Sequence, residues 1–229
     1  GAAVAVLDLN PPMSDPDLVP VIADVRDDAS VAAGVAQAVT AMGGLDILVN
    51  NAGVGSIGTI EQAGDTEWLR VLDINLMGVV RVTRAAVPAL RASERAAIVN
   101  ITSIAATTGI EDRVVYSATK GAVHALTLAL AADHLGDGIR VNAVSPGTAD
   151  TPFVQANLAK AADPTAELAA LNARQPHGRL VTADEVAHAV AYLASPLAGS
   201  TTGAVLAVDG GFERLRRRPT SPAPAGSST

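Results

Sequence analysis

The sequence of 229 residues contains no cysteine and few aromatic side chains, and each shortage excludes a class of protein. Without cysteine there is no disulfide framework, no thiolate zinc site and no cysteine nucleophile. Because aromatics make up 2% and hydrophobic residues 49% of the chain, the core must be built mainly from Ala, Val, Leu and Ile. The four histidines do not fall at metal-ligand spacings, so we expect no metal site.

Basic residues are also in short supply, since 16 Lys and Arg stand against 23 Asp and Glu and give a net charge of −7. Residues 213–229 hold four Arg and one Glu, which leaves the rest of the chain at −10. An acidic body argues against a nucleic-acid partner. No apolar run approaches the roughly 18 residues that span a bilayer, and no signal peptide opens the chain. We therefore expect a cytoplasmic protein without a membrane partner.

Short apolar runs alternate with longer helical segments along the chain. Strands are predicted at 4–7, 18–23, 46–50, 97–101, 138–144 and 204–208, and helices at 29–42, 65–92, 114–135, 153–172 and 183–195. Asp65 or Thr66 is the predicted N-cap of the second helix. Fully apolar strands separated by helices predict an α/β protein with a doubly wound, Rossmann-like parallel sheet in three layers, α/β/α. Ligands of such sheets bind at the carboxyl ends of the strands.

This domain is predicted to occupy residues 1–212. Residues 213–229 are rich in arginine and proline and cannot build a core. They are predicted to form a disordered basic tail.

Two residues with complementary acid–base chemistry lie on one predicted helix. Tyr116 and Lys120 are four residues apart, so they share a helix face. A phenol has a pKa of about 10 and is a poor base at neutral pH. A nearby ammonium lowers that pKa, and the pair can then act as a general acid and base.

Two polar residues strengthen this prediction. Ser103 lies thirteen residues before Tyr116, just after a predicted strand, where its hydroxyl can hydrogen bond a substrate oxygen. Asn75 lies inside a predicted helix, where Asn is unfavourable. Its side chain can bond a backbone carbonyl or hold a water molecule.

The motifs occur in a fixed order. They are Asn50-Asn51-Ala52-Gly53, Asn75, Ser103, Tyr116-Ser117-Ala118-Thr119-Lys120, Pro146-Gly147 and Asp209-Gly210-Gly211. In this order and spacing the chain resembles the short-chain dehydrogenase/reductase family from residue 1 to about 212. The resemblance implies a nicotinamide-dependent oxidoreductase that acts on a small hydroxy or keto substrate.

The resemblance also implies a role for each catalytic candidate. Tyr116 transfers the proton to or from the substrate oxygen, and Lys120 lowers its pKa and binds the nicotinamide ribose. Ser103 orients the substrate oxygen. Asn75 holds a water molecule of the proton relay. Hydride passes directly between the substrate carbon and the nicotinamide, which is the cofactor's own chemistry.

The choice between NAD and NADP is predicted from Asp8. It ends the strand whose last residue binds the adenosine ribose in this fold. A carboxylate there accepts bonds from a free 2′-hydroxyl and repels a 2′-phosphate, so NAD is favoured. The alternative, that Asp8 merely ends a strand in a turn, stays open. By resemblance, the cofactor is bound by Asp8, Asp24, Val25, Asn51, Ala52, Gly53, Tyr116, Lys120, Pro146, Gly147, Thr148 and Thr151.

Two arginines are candidates for holding the substrate. Arg113 precedes Tyr116 by three residues, and Arg174 lies where the substrate loop of the family returns. A guanidinium binds a carboxylate through two parallel hydrogen bonds. The alternative is that both are solvated or paired with neighbouring acids. The surrounding motifs resemble a subgroup that includes 3-hydroxybutyrate, keto-deoxy-fuconate and fucose dehydrogenases, which implies a hydroxy acid or a sugar acid as substrate.

One family feature is not found in this sequence, namely the first strand with its Gly-rich, phosphate-binding turn. In the strand order 3-2-1-4-5-6 this strand is central and would lie between the strands that end at Asp8 and Asn50. Three explanations are open: the sequence is a fragment of a longer product, another chain supplies the strand, or the two flanking strands pair directly. We expect the first, and with it weak NAD binding.

Two other functions remain open. One is a non-catalytic or crippled dehydrogenase fold, and the other is an NADP-dependent oxoacyl reductase, which Asp8 disfavours. The long predicted helices carry small apolar faces that suit subunit packing, so a homo-oligomer, a tetramer or dimer, is expected.

Overall fold

The computed structural model describes residues 1–216 and shows an α/β fold built on parallel strands. The strands are β1 (Val4–Asp8), β2 (Leu18–Ile22), β3 (Ile47–Asn50), β4 (Ala97–Ile101), β5 (Arg140–Pro146), β6 (Ala149–Asp150), β7 (Val181–Thr182) and β8 (Val205–Val208). The helices are α1 (Asp28–Met42), α2 (Asp65–Leu72), α3 (Gly78–Leu90), α4 (Val114–Asp133), α5 (Pro152–Leu158), α6 (Pro164–Arg174) and α7 (Ala183–Ala194). The predicted fold class is confirmed.

The strands form a two-stranded sheet, β1-β2, a four-stranded sheet, β3-β4-β5-β8, and a small pair, β6-β7, all parallel. Within residues 1–216 no strand ladder joins β1 to β3. Of the three explanations left open by the sequence, direct pairing of these two strands is therefore not found among the described residues. The position between them is the one expected for the central strand, and the apolar side chains of Val4 and Val49 beside it are exposed.

Helices cover both faces of the four-stranded sheet because the strand residues alternate between the faces. Ile98 and Val141 contact α1, α3 and α4 on one face. Val99 and Val144 contact α7 on the other. Both faces are therefore buried, which explains why β4 and β5 are apolar almost without interruption.

A buried polar network joins the centre of the sheet to two helices. The Asn50 amide donates to Asn100 Oδ1 at 2.8 Å and to Thr83 at 3.1 Å, and Asn100 donates to Thr127 at 3.0 Å. These side chains are almost completely buried. Buried amides are costly unless they are hydrogen bonded. Here they fix β3 and β4 to α3 and α4, the helices around the site.

Two helix predictions are corrected. The segment predicted as one helix over 65–92 contains a π-helical turn, Asp73–Met77, between α2 and α3. Its N-cap is Gly64 rather than Asp65 or Thr66, and no side chain caps it. The helix predicted at 153–172 is two helices, because Asp163 accepts from two backbone amides as the N-cap of α6 and Pro164 begins it.

Helix α4 is long and apolar enough, on average, to cross a bilayer. It carries Tyr116 and Lys120, and it packs against β5 and the turn that follows β4. It is therefore read as a core helix of this fold. A turn spans residues 211–214 at the start of the predicted tail, and Leu215 N donates to Gly211 O. Residues 217–229 lie outside the described part of the chain.

Candidate active site

The carboxyl ends of the four-stranded sheet open into a cavity of about 520 Å³. Parallel strands bring their carboxyl ends to one edge, so residues far apart in sequence meet there. Of the residues predicted from the sequence, the cavity is lined by Asn51, Gly53, Ser103, Arg113, Tyr116, Lys120, Pro146, Gly147, Thr148, Thr151 and Arg174.

The other five predicted residues lie outside this lining. Asp8, Asp24 and Val25 follow β1 and β2, at the same edge but on the separate two-stranded sheet. Ala52 is exposed between two lining residues, and Asn75 is buried behind the cavity wall.

Lys120 and Tyr116 occupy the same face of α4, as their spacing predicts. The Lys120 Nζ atom lies 5.8 Å from the centroid of the Tyr116 ring and donates to the carbonyl of Ile101 at 2.8 Å. Only 5% of the Lys120 surface is exposed. This hydrogen bond fixes α4 to the end of β4.

Ser103 meets Tyr116 from the end of β4. Its hydroxyl accepts from Ala105 N at 3.1 Å, which caps a short 3-10 turn and sets the orientation of the side chain. Burial raises the pKa of Tyr116, and the nearby Ser103 hydroxyl opposes part of that rise. A substrate oxygen placed between these two hydroxyls would contact both.

The expectation that Lys120 brings the pKa of Tyr116 below its usual value is wrong for this structure. Burial raises the pKa of Tyr116 above 10.0, and the opposing effects come from Ser103 and from the charge of Arg113. Burial also lowers the pKa of Lys120 to about 8. A partly desolvated phenol favours its neutral form. Without further positive charge, Tyr116 is therefore protonated at neutral pH.

Asn75 uses its side chain to bind backbone. Its Oδ1 accepts from Val54 N at 2.8 Å, and its Nδ2 donates to Val54 O at 2.9 Å and to Thr119 at 3.1 Å. Of the two alternatives stated for this residue, the structure therefore shows the bond to a backbone carbonyl. Thr119 in turn donates to Tyr116 O at 2.8 Å. Asn75 thus joins the 53–55 segment to α4, and the π-helical turn that contains Asn75 sets its position.

The residues after β2 are also fixed in place. Arg26 forms a two-pronged ion pair with Asp24, which lowers the pKa of Asp24 to about 2. Arg81 donates to Val25 O at 3.1 Å, and a Cβ on Gly78 would lie 3.1 Å from the Val25 side chain. The sequence signal for Arg81 is weak, because an arginine on a helix is ordinarily solvated.

The helices α5 and α6 lie between β6 and β7 and cover the cavity. We call this segment, residues 151–174, the lid. The lid contributes Val154, Leu158 and Leu171 as an apolar wall. Arg113 and Arg174 also face the cavity, and burial together with the charge of Arg174 lowers the pKa of Arg113. No ion pair described in residues 1–216 includes either arginine. Two like charges therefore face one space.

Several site residues were not predicted from the sequence. They are the apolar lining residues Ile57, Ile104, Ile110, Val154, Leu158 and Leu171, the acidic lining residue Glu167, and Gln175 at the end of α6. In the sequence, an apolar residue in a loop or on a short amphipathic helix looks the same whether its side chain packs in the core or lines a ligand cavity. Only the tertiary structure separates the two.

The residues present fit the nicotinamide end of a dinucleotide. A Cβ on Gly53 would lie 3.4 Å from Asn75 Oδ1 and 3.6 Å from Lys120 Nζ, so the missing side chain leaves the lysine accessible from the cavity. Asn51, Tyr116 and Thr148 supply polar groups around the same space. A Gly-rich cradle for the pyrophosphate is not among the described residues.

Comparison with known proteins extends over nearly all of this fold. A family model described as enoyl-(acyl carrier protein) reductase matches residues 1–213. The chain is 41% identical over 194 residues to an inactive 2-(S)-hydroxypropyl-CoM dehydrogenase 2 of Xanthobacter autotrophicus, and the match covers 84% of each chain. It is 43% identical over 190 residues to cis-4-hydroxycyclohexanecarboxylate dehydrogenase of Sinomonas cyclohexanicum, over 82% of this chain and 74% of that one.

Among solved structures, a gluconate 5-dehydrogenase from Burkholderia cenocepacia in complex with NADP and tartrate matches with a TM-score of 0.86 and 30% identity. The match covers 94% of this chain and 87% of that one. Both sequence and fold therefore make this chain similar to known oxidoreductases over most of its length.

The buried lysine leads to a prediction about stability. Because burial lowers the pKa of Lys120 from 10.5 to about 8, the unfolded chain binds more protons than the folded chain between these values. The free energy of unfolding should then rise with pH by about 1 kcal/mol per pH unit above about pH 8, relative to Lys120→Met. Urea denaturation from pH 7 to pH 10 measures the difference. Lys160→Met is the control, since Lys160 is exposed. A Lys120→Met variant with the same pH dependence as the parent would contradict the assignment.

Proposed function

The chain belongs to the short-chain dehydrogenase/reductase family, and we propose that it interconverts a secondary alcohol and a ketone on a small hydroxy acid or sugar acid with NAD(H). The single observation that supports this function most strongly is the meeting of Tyr116, Ser103 and Lys120 in one cavity. The NADP-dependent oxoacyl reductase stays the less favoured alternative.

Tyr116 is proposed to exchange the proton with the substrate oxygen. In the direction of ketone reduction, a protonated phenol is the required form, and the raised pKa of Tyr116 keeps the proton on it. Ser103 donates to the same substrate oxygen and stabilises the charge that develops there. In the oxidative direction Tyr116 would first lose its proton, and the phenolate oxygen would then accept the alcohol proton; positive charge nearby favours this ionisation.

The cofactor would supply the hydride acceptor or donor, and the protein would hold it along the carboxyl edge of the sheets. Lys120 and Asn51 are proposed to face its nicotinamide ribose, and the backbone of Gly147 and Thr148 its carboxamide. Asp8 is proposed to bind the adenosine ribose. The Asp8 carboxylate is exposed and accepts only from Asn10 N, at 2.9 Å, among the hydrogen bonds described for it.

The two arginines support an anionic substrate. Placing Arg113 and Arg174 at one cavity without an acidic partner in an ion pair is unfavourable unless an anion joins them. Glu167 also lines the cavity and offsets part of this charge. A carboxylate is named in one relative, the hydroxycyclohexanecarboxylate dehydrogenase, and tartrate in one solved relative. The hydroxyl to be oxidised would then point to Tyr116.

A second candidate is the same fold without turnover. The open position between β1 and β3 favours it, because unpaired strand edges weaken the part of the site that binds adenosine. Calorimetric titration with NADH and an assay of NAD reduction with a panel of hydroxy acids together separate the two, since a folded chain that binds NADH weakly and oxidises no hydroxy acid supports this second candidate. A homo-oligomer and a cytoplasmic location remain our expectations.

Replacing the proposed proton donor tests the mechanism. Tyr116→Phe should lower kcat by roughly a thousandfold or more, since the phenyl ring keeps the shape and removes the proton. NAD affinity should change little. The measurement is steady-state NADH formation with a panel of hydroxy acids, together with calorimetric binding. Tyr192→Phe, at an exposed tyrosine on α7, is the matched control. Full activity in Tyr116→Phe would rule out the mechanism.

The preference for NAD is tested at the end of β1. Asp8→Ser should reduce the ratio of kcat/KM for NAD to that for NADP by about tenfold or more, because a negative charge no longer repels the 2′-phosphate. Asp15→Ser is the control, since Asp15 is also exposed and also accepts from a backbone amide two residues on. An unchanged ratio in Asp8→Ser would leave Asp8 as a residue that only ends a strand.

The anion site is tested with paired substrates. Arg113→Met and Arg174→Met should each raise KM for a hydroxy acid by about tenfold, corresponding to about 1.4 kcal/mol. The methyl ester of the same acid, which lacks the charge, should be affected much less. Arg70→Met is the control, because Arg70 is paired with Glu67 at the surface of α2. Equal losses with the acid and the ester would show that the arginines do not recognise charge.

A further inference from the structure

The lid leaves the sheet and returns to it at one place. Ala149 and Asp150 pair with Val181 and Thr182, and Val181 N donates to Thr148 O at 3.0 Å. Thr148, whose backbone is expected to contact the nicotinamide carboxamide, is therefore hydrogen bonded directly to β7, the strand that follows the lid. Any displacement of that segment would act on both.

Gln175 lies at the centre of this junction. It ends α6, and only 1% of its surface is exposed. Its Nε2 donates to Arg179 O at 2.6 Å and to Thr148 O at 3.3 Å. Its own carbonyl accepts from Gly178 N at 2.8 Å. The side chain thus joins Thr148 to Arg179, and the Gln175 backbone closes the turn that follows the lid.

The oxygen of the Gln175 side-chain amide explains why residue 147, which lies beside it in space, is a glycine. Because the two nearby carbonyl oxygens can only accept, the amide atom that faces them must be the donor Nε2. The oxygen Oε1 then lies on the opposite side, where it is buried and has no hydrogen-bond partner among the described residues. A Cβ on Gly147 would overlap Oε1 and lie 3.0 Å from Asp209 Cα. The side chain of Gln175 therefore packs closely against Gly147, where only a glycine leaves room for it.

We infer that Gln175 is a positioning residue that fixes the Thr148 backbone and the base of the lid together, so that cofactor and substrate affinity depend on it. The inference rests on the proposed function. Gln175 does not itself line the cavity. It acts through Thr148 and through its neighbour Arg174, which both line it. A buried amide that donates to two carbonyls from different segments holds them in one arrangement, and small displacements of binding groups are costly to catalysis.

The experiment compares three variants of the full chain with the parent. Gln175→Met keeps the size and removes both donors. Gln175→Glu keeps the shape but places oxygens against the two carbonyls. Gln155→Met is the control, because Gln155 is exposed on the lid and its side chain donates to Asp150. Three quantities are measured: KM for NAD against kcat, the rate of trypsin cleavage after Lys160 within the lid, and the melting temperature.

For Gln175→Met we expect KM for NAD and the cleavage rate to rise about tenfold, with a smaller change in kcat. Gln175→Glu should resemble it at neutral pH and recover as the pH falls, because a protonated carboxyl can again donate to one carbonyl. Gln155→Met should stay within about twofold of the parent in both quantities. A Gln175→Met variant that only melts earlier, with KM and cleavage unchanged, would overturn the inference.

The failure of this inference is distinguishable from the failure of the proposed function. If the parent chain oxidises no hydroxy acid, the proposed function fails by itself. Trypsin cleavage after Lys160 then still decides whether Gln175 holds the lid, since cleavage needs no turnover. Equal rates in the parent and in Gln175→Met would reject the inference in that case too.

Discussion

The parallel direction of the strands is the constraint on which the rest of this structure depends. Because β3, β4, β5 and β8 run the same way, their carboxyl ends meet at one edge, where residues that follow β3, β4 and β5 line one cavity. Ser103 follows β4, and Gly147 follows β5. The helix that returns to the sheet between these strands, α4, brings Tyr116 and Lys120 to the same edge. The site is thus a consequence of strand direction more than of any single contact.

The chemistry at this edge comes from an electrostatic conflict. Tyr116 and Lys120 are both partly or fully removed from water, which favours the neutral form of each and raises one pKa while it lowers the other. These opposed shifts move the two pKa values apart, so burial favours the neutral phenol together with the neutral amine. The Ile101 carbonyl and the Ser103 hydroxyl set the geometry within which proton transfer would occur.

The two ends of the site differ in how they are supported. Around Tyr116 the support is a dense buried network, in which Asn75, Thr119 and the 53–55 segment are bonded to one another. At the other end, Asp8 and Asp24 stand on a two-stranded sheet that shares no ladder with the main one in residues 1–216. Contacts through α1 and Arg81 hold this smaller sheet near the rest. The chemical half of the site is therefore the better supported half.

The sequence by itself determined the local and periodic features. The alternation of apolar runs and helices predicted the α/β fold, and the spacing of Tyr116 and Lys120 placed them on one helix face, because both depend only on the repeat of the backbone. The left-handed Gly43 that ends α1 also follows from local chemistry. Only the tertiary structure decided the pKa of Tyr116, the backbone role of the Asn75 side chain, the separation of the two sheets and the place of Gln175. Each of these depends on which distant segments surround a residue, and burial and hydrogen-bond partners are set by packing rather than by spacing along the chain.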